Sequence, residues 1–215
     1  MDYDDWRSRW HEGKIGFHLG EPHAGLREFS DRLLDEPGRV LVPLCGKAVD
    51  LRYLAERGHE VVGIEFVEKA ARDFFDEQSL PCERRDGDHP VYAGGSIEIH
   101  VADVFTISNE DVGSIDAVYD RAALIALPED QRGVYAGRLM RWLRPGGRML
   151  LVTLAYDQAR MSGPPFSVPD DDVHRLFGEL CEVERLATTS DEKPPARFAE
   201  QGITVRETVW LCTKR

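Results

Sequence analysis

The chain is poor in cysteine, in positive charge and in long apolar runs. Four cysteines stand in 215 residues, at Cys45, Cys82, Cys181 and Cys212. No two are spaced as CxxC, so neither a disulfide framework nor a thiolate zinc site is indicated. The seven histidines include no HxxxH or HExxH pair, the usual helical spacing of a metal centre, and no metal is expected. Lys and Arg number 27 against 39 Asp and Glu, a formal net charge of −12. A nucleic-acid binder draws its affinity from cations, so this balance points away from nucleic acid and from an anionic membrane surface alike. No apolar run approaches the roughly 18–20 residues of a membrane span. The start, Met1-Asp2-Tyr3-Asp4-Asp5, is acidic where a secretory signal would be basic. A soluble, cytoplasmic, monomeric protein with one domain over 1–215 is the expectation.

What is present is an alternation of short apolar runs and amphipathic stretches. Arg39 to Pro43, His59 to Glu65, Ile97 to Val101, Ile115 to Tyr119, Met149 to Leu154 and Val205 to Cys212 read as strands. Lys47 to Arg57, Glu68 to Gln78, Glu129 to Trp142 and Asp170 to Phe177 read as helices, with Gly58 stopping the first. Such alternation implies an α/β fold, a parallel sheet with helices on both faces. Residues before about 38 read as an N-terminal helical cap, and Asp86 to Gly95 as a loop.

In such a sheet ligands bind at the carboxyl ends of the strands. The turn after the first strand, Pro43-Leu44-Cys45-Gly46-Lys47, is not a phosphate loop, because Leu41 and Ala48 replace the required glycine and hydroxyl residue. It also lacks the three glycines that let backbone approach a pyrophosphate, which disfavours a nicotinamide dinucleotide. One glycine suffices for a ligand with adenosine and no pyrophosphate. Glu65 ends the second strand nineteen residues after Gly46, close to the ~20 expected of an acid that accepts from ribose hydroxyls. Asp103 ends the third, where a carboxylate can accept from an adenine amino group. Acids at two successive strand ends above a single-glycine turn suggest S-adenosylmethionine.

The run Val40 to Lys47, then Asp50-Leu51 and Leu54 to Glu65, resembles the thiopurine S-methyltransferase family, most closely its bacterial branch. So do Trp6-Arg7-Ser8-Arg9-Trp10, Gly16-Phe17-His18, Tyr119 to Leu124, Tyr156-Asp157-Gln158 and Gly163-Pro164-Pro165-Phe166. The blocks run in family order over nearly the whole chain. The resemblance implies a Rossmann-like class I methyltransferase with a mostly parallel seven-stranded sheet, and a cap over 1–38. It implies methyl transfer from S-adenosylmethionine to a thiopurine-like thiol, with selenium or tellurium compounds as further acceptors. It assigns Trp10, Leu44, Glu65, Asp103, Val104 and Arg121 to the cofactor, and Phe17 and Arg197 to the acceptor. Arg121 and Arg197 would steady a thiolate. His23-Ala24 departs from the family's Asn-Pro-like pair.

Each residue has a plainer role to set beside this. Trp6 and Trp10, four apart, suit packing on one helix face. Glu65 could be an exposed strand end, Asp103 a helix N-cap and Asp120-Arg121 a surface ion pair. Arg197 lies in a polar stretch suited to a solvated helix face. Cys45 reads as a packed residue rather than a nucleophile. A nicotinamide-dependent oxidoreductase and a non-catalytic nucleoside-binding module are the alternative functions.

Overall fold

The computed structural model describes residues 3–190 and 196–215, with the side chains of residues 3, 5, 196 and 197 outside that description. In chain order the elements are α1 (Tyr3–His11), α2 (Ala24–Leu33), β1 (Arg39–Pro43), α3 (Asp50–Glu56), β2 (Glu60–Glu65), α4 (Glu68–Glu77), β3 (Glu83–Arg85), β4 (Val91–Gly94) and β5 (Ile97–Val101). There follow α5 (Asn109–Val112), β6 (Ile115–Arg121), α6 (Glu129–Trp142), β7 (Leu143–Ala155), α7 (Asp170–Phe177), β8 (Cys181–Ser190), α8 (Ala196–Ala199) and β9 (Arg206–Lys214).

Nine strands form one sheet in the order β3-β4-β5-β2-β1-β6-β7-β9-β8. β5, β2, β1, β6 and β7 make a parallel core, and the pairs β3–β4, β4–β5, β7–β9 and β8–β9 are antiparallel. The expected seven strands are thus present, and two more extend the β5 edge. The stretch 86–95, read as a loop, contains β4, which pairs with Ile97–His100 of β5. Its short mixed sequence carries no strand period; backbone bonds to a neighbour already in place hold it. β3, Glu83-Arg84-Arg85, is wholly exposed, the charged ending that keeps an edge from pairing with another chain.

Strand alternation divides the core in two. Val40, Val42, Val61, Ala117 and Tyr119 face α2, α3 and α4, burying Leu26, Leu51, Leu54, Phe74 and Phe75 against them. Leu41, Val62, Ile64, Val118 and Leu151 face α6 and α7, with Tyr135, Leu139, Val173 and Phe177. At about 1.5–3 kcal/mol for each large apolar side chain removed from water, these two layers hold the strand ends rigidly in place. α2 packs on β7 and β9, whereas α1 packs on α4 beyond the carboxyl ends of the strands. No helix among the described residues is long and apolar enough to cross a membrane.

Candidate active site

The chain leaves β1 toward β2 and later leaves β6 toward β7, in opposite directions across the sheet, so the crevice between β1 and β6 is the topological switch point. Both strands end in backbone that disfavours a side chain. Leu44 has φ +46° and Ala122 φ +62°, two of three left-handed non-glycine residues among those described. The first turn hangs from the end of β2. Cys45 N–H donates to the Ile64 carbonyl at 3.1 Å, and Gly46 N–H donates to Glu65 Oε2 at 2.9 Å. Val67 N–H donates to Glu65 Oε1 at 2.8 Å. Glu65 is therefore buried rather than an exposed strand end. Burial pushes its carboxyl up to about 7, against the pull of the Val67, Gly46 and Phe66 amides.

Cys45 packs over Gly63, where an added Cβ would lie 2.7 Å from its Sγ. Burial, and then the Glu65 charge, push its thiol well up, so it stays protonated and unreactive. Gly46 has φ +53°, and a Cβ there would meet the Trp10 ring at 2.9 Å. Gly46→Ala is expected to cost more than about 1 kcal/mol in denaturant unfolding, through backbone strain and a displaced Trp10.

A cavity of about 390 Å³ opens beside Glu65. Leu44, Ile64 and Phe66 form one wall, and Ala102, Asp103, Val104 and Phe105 form another. Ala126, Leu127, Pro128 and Gln131 close the far side, and Trp6 of α1 reaches its rim. Asp103 holds its own turn, with Oδ1 accepting the Phe105 N–H at 2.8 Å. Phe17 lies edge-on to both Trp6 and Trp10, each at 5.8 Å between ring centres. The two tryptophans thus pack, as their spacing suggests, and do so over the first turn and at the cavity rim.

Continuing the β1–β6 register from Leu41↔Val118 brings the Leu44 turn alongside Arg121. Arg121 is half-buried, and among the described residues no ion pair or side-chain hydrogen bond engages its guanidinium. The surface ion pair with Asp120 does not form. Alternation sends Asp120 to the opposite face, where it is fully buried and accepts the Tyr135 hydroxyl at 2.7 Å. His18 feels the charges of Lys47, Arg121 and Asp50, and burial foremost holds its imidazole below the usual value. His23 caps α2, its Nδ1 accepting the Gly25 N–H at 3.2 Å, the service an asparagine side chain would give. Arg197 lies on α8, its side chain outside the described residues.

Leu44, Glu65, Asp103 and Val104 therefore gather at or beside the cavity, while Trp10, Phe17 and Arg121 border the first turn and the end of β6. Sequence reasoning missed Phe66, Phe105 and Gln131 as wall residues. The first two lie within two residues of the strand-end acids, a signal that was available; Gln131 arrives from α6 and had none. The loop Met161 to Phe166 is tied to its neighbours by hydrogen bonds. Tyr156 Oη donates to the Pro165 carbonyl at 2.6 Å, Phe166 N–H donates to the Ile125 carbonyl at 2.6 Å, and Gln158 Oε1 accepts the Ser167 N–H at 2.7 Å.

The family model described as Thiopurine S-methyltransferase (TPMT) matches residues 1–215. The thiopurine S-methyltransferase of Pseudomonas fluorescens (strain Pf0-1) is 45% identical over 206 residues, 95% of this chain and 94% of that protein. That of Azotobacter vinelandii is 44% identical over 218 residues, all of both chains. Among solved structures, the Burkholderia thailandensis 1,6-didemethyltoxoflavin-N1-methyltransferase with bound S-adenosylhomocysteine superposes with a TM-score of 0.66. It is 20% identical and covers 98% of this chain and 86% of its own, a likeness of fold: the Rossmann-like methyltransferase arrangement expected from the sequence.

Proposed function

The chain belongs to the thiopurine S-methyltransferase family, whose methyl donor is S-adenosylmethionine, and from that premise we propose that it methylates a soft sulfur acceptor, an aromatic or heteroaromatic thiol. The observation that carries this reading is the Arg121 guanidinium, level with the first turn at the switch point and engaged by no ion pair among the described residues. A cation there favours a thiolate over a neutral or cationic acceptor.

The chemistry of the wall residues fits the donor. Ile64, Phe66, Val104 and Phe105 offer adenine apolar surfaces, and Asp103 an acceptor for its amino group. Glu65 has lone pairs beyond those given to Gly46 and Val67, suited to the paired ribose hydroxyls. Leu44 and the first turn hold the amino-acid end. Trp10 beside that turn adds roughly 0.5–2 kcal/mol of cation–π attraction toward a sulfonium. The bound donor supplies an electrophilic methyl group; its carbon–sulfur electron pair stays on the departing sulfur as the thiolate forms the new bond.

Arg121, with Arg197 as a second cation, keeps the acceptor thiol ionised, so no strong general base is needed. Phe17, between Trp6 and Trp10, covers the acceptor, and α1 forms the cap that excludes water. Most of the acceleration comes from alignment, which can supply about 7–11 kcal/mol. The single glycine in the first turn speaks against the nicotinamide alternative. Selenium and tellurium compounds are further soft acceptors within this reading, and the enzyme acts as a monomer.

A radiolabelled methyl-transfer screen across heteroaryl thiols, selenite and tellurite tests the proposal. Label is expected in the thiols first. Binding of S-adenosylhomocysteine with no transfer to any member would instead favour the nucleoside-binding module.

A further inference from the structure

Asp120 and Tyr135 are both fully buried, yet neither lines the cavity. Asp120 Oδ2 accepts the Tyr135 hydroxyl at 2.7 Å, and Oδ1 accepts the Leu124 N–H at 3.1 Å. Between these anchors the chain reverses at Ala122, whose φ of +62° persists only where its surroundings over-determine it. On one side of the reversal stands Arg121. On the other, the 3-10 turn Leu124–Ala126 runs on to Leu127 and Pro128 in the cavity wall. The Tyr135 ring also lies 6.5 Å from Phe105 of the opposite wall. Taking a carboxylate out of water is costly, and apolar residues of similar volume often replace buried ionic groups without loss of stability, so the pair invites a role beyond stability.

We propose that Tyr135 and Asp120 act as a positioning pair that fixes the Ala122 reversal, and through it aims Arg121 and seats the adjacent cavity wall. This rests on the reading of Arg121 as the cation that serves the acceptor thiol. The groups facing Asp120 are the Tyr135 hydroxyl from α6 and the Cys212 thiol from β9, which burial keeps protonated. Burial pushes the Asp120 carboxyl up to about 6, offset by the Tyr135, Leu124 and Ala123 donors. Removing the hydroxyl must push it further up, so the ionised, loop-holding form is lost at a higher pH.

Tyr135→Phe keeps the ring and removes the donor. Its kcat with a heteroaryl thiol is expected to fall five- to thirtyfold at pH 7, with acceptor KM changing less than threefold. The acid limb of kcat should move up by about one pH unit. In the cofactor-free protein, the Leu124 amide should exchange with solvent at least tenfold faster. Asp120→Asn, which still accepts from Leu124 and cannot titrate, should lose that limb and keep Leu124 protected; it decides the matter if Tyr135→Phe does not fold. An unchanged kcat and acid limb in the folded variants would overturn the positioning role. If Arg121→Ala is active while these variants are impaired, the reading of Arg121 fails instead.

Discussion

Replacing Glu65 by alanine is expected to weaken S-adenosylhomocysteine binding by about 1–3 kcal/mol, roughly five- to 150-fold. Two losses combine. The ribose hydroxyls lose a charged acceptor, and the Gly46 and Val67 amides, at 2.9 and 2.8 Å from the carboxylate, lose the group that sets the first turn. Glu65→Gln separates them, since one amide oxygen can still accept. Unchanged affinity by calorimetry in the alanine variant would remove Glu65 from the cofactor site.

The same carboxylate should make binding depend on pH. Its folded value is raised to about 7 from an ordinary 4.5, mainly by burial. With the value raised, the folded protein takes up the proton more readily than the unfolded chain does. The contribution of Glu65 to stability is therefore complete below about 4.5 and is lost as pH rises through about 7. Hydroxyl donors select the ionised form, so ligand affinity runs the other way. It should rise with pH, by up to about tenfold per unit below 7, and level off above. Calorimetry in buffers of different ionisation enthalpy should detect proton release at pH 6.5, and Glu65→Gln should abolish it.

Arg121→Ala is expected to lower kcat/KM for a heteroaryl thiol by about 10²-fold, the usual cost of removing one charged partner from developing or resident anionic charge. Cofactor affinity should change far less, within about tenfold. The penalty should be largest for the least acidic thiol in a series, because a guanidinium that favours ionisation matters least where ionisation is already complete. Arg121→Lys should recover part of the rate, keeping the charge without the planar fork. A uniform loss across the series would show that Arg121 does not act on the thiolate.

How far the site was legible depended on whether a residue's role is local. The Leu44 turn, Glu65 and Asp103, which the structure gathers at or beside the cavity, could be singled out because strand ends and their spacing are written in contiguous sequence. Glu65's burial was not, since its partners are the amides of Gly46, nineteen residues away, and of a turn whose course the sheet decides. Asp120 and Arg121 looked like an ion pair because they are neighbours in the chain. As neighbours on a strand they point to opposite faces, and Asp120 found Tyr135 fifteen residues on. The helix read from Lys47 begins at Asp50, because Gly46 to Ala48 complete the turn first. β8 was missed as a named strand, its outward residues being mostly polar and its pairing with β9 antiparallel.

Periodicity and punctuation alone determined that this chain builds alternating strands and helices, with acids at two strand ends above a one-glycine turn. Those features follow from short-range sterics and from which faces must leave water, and both are local properties. Only the folded molecule decided that Glu65 is shielded and clamped, that Arg121 is left without a carboxylate among the described residues, and that α1 brings its tryptophans to the first turn and the cavity rim. Such outcomes depend on groups far apart in the chain competing for the same donors, acceptors and space once the sheet has closed around them.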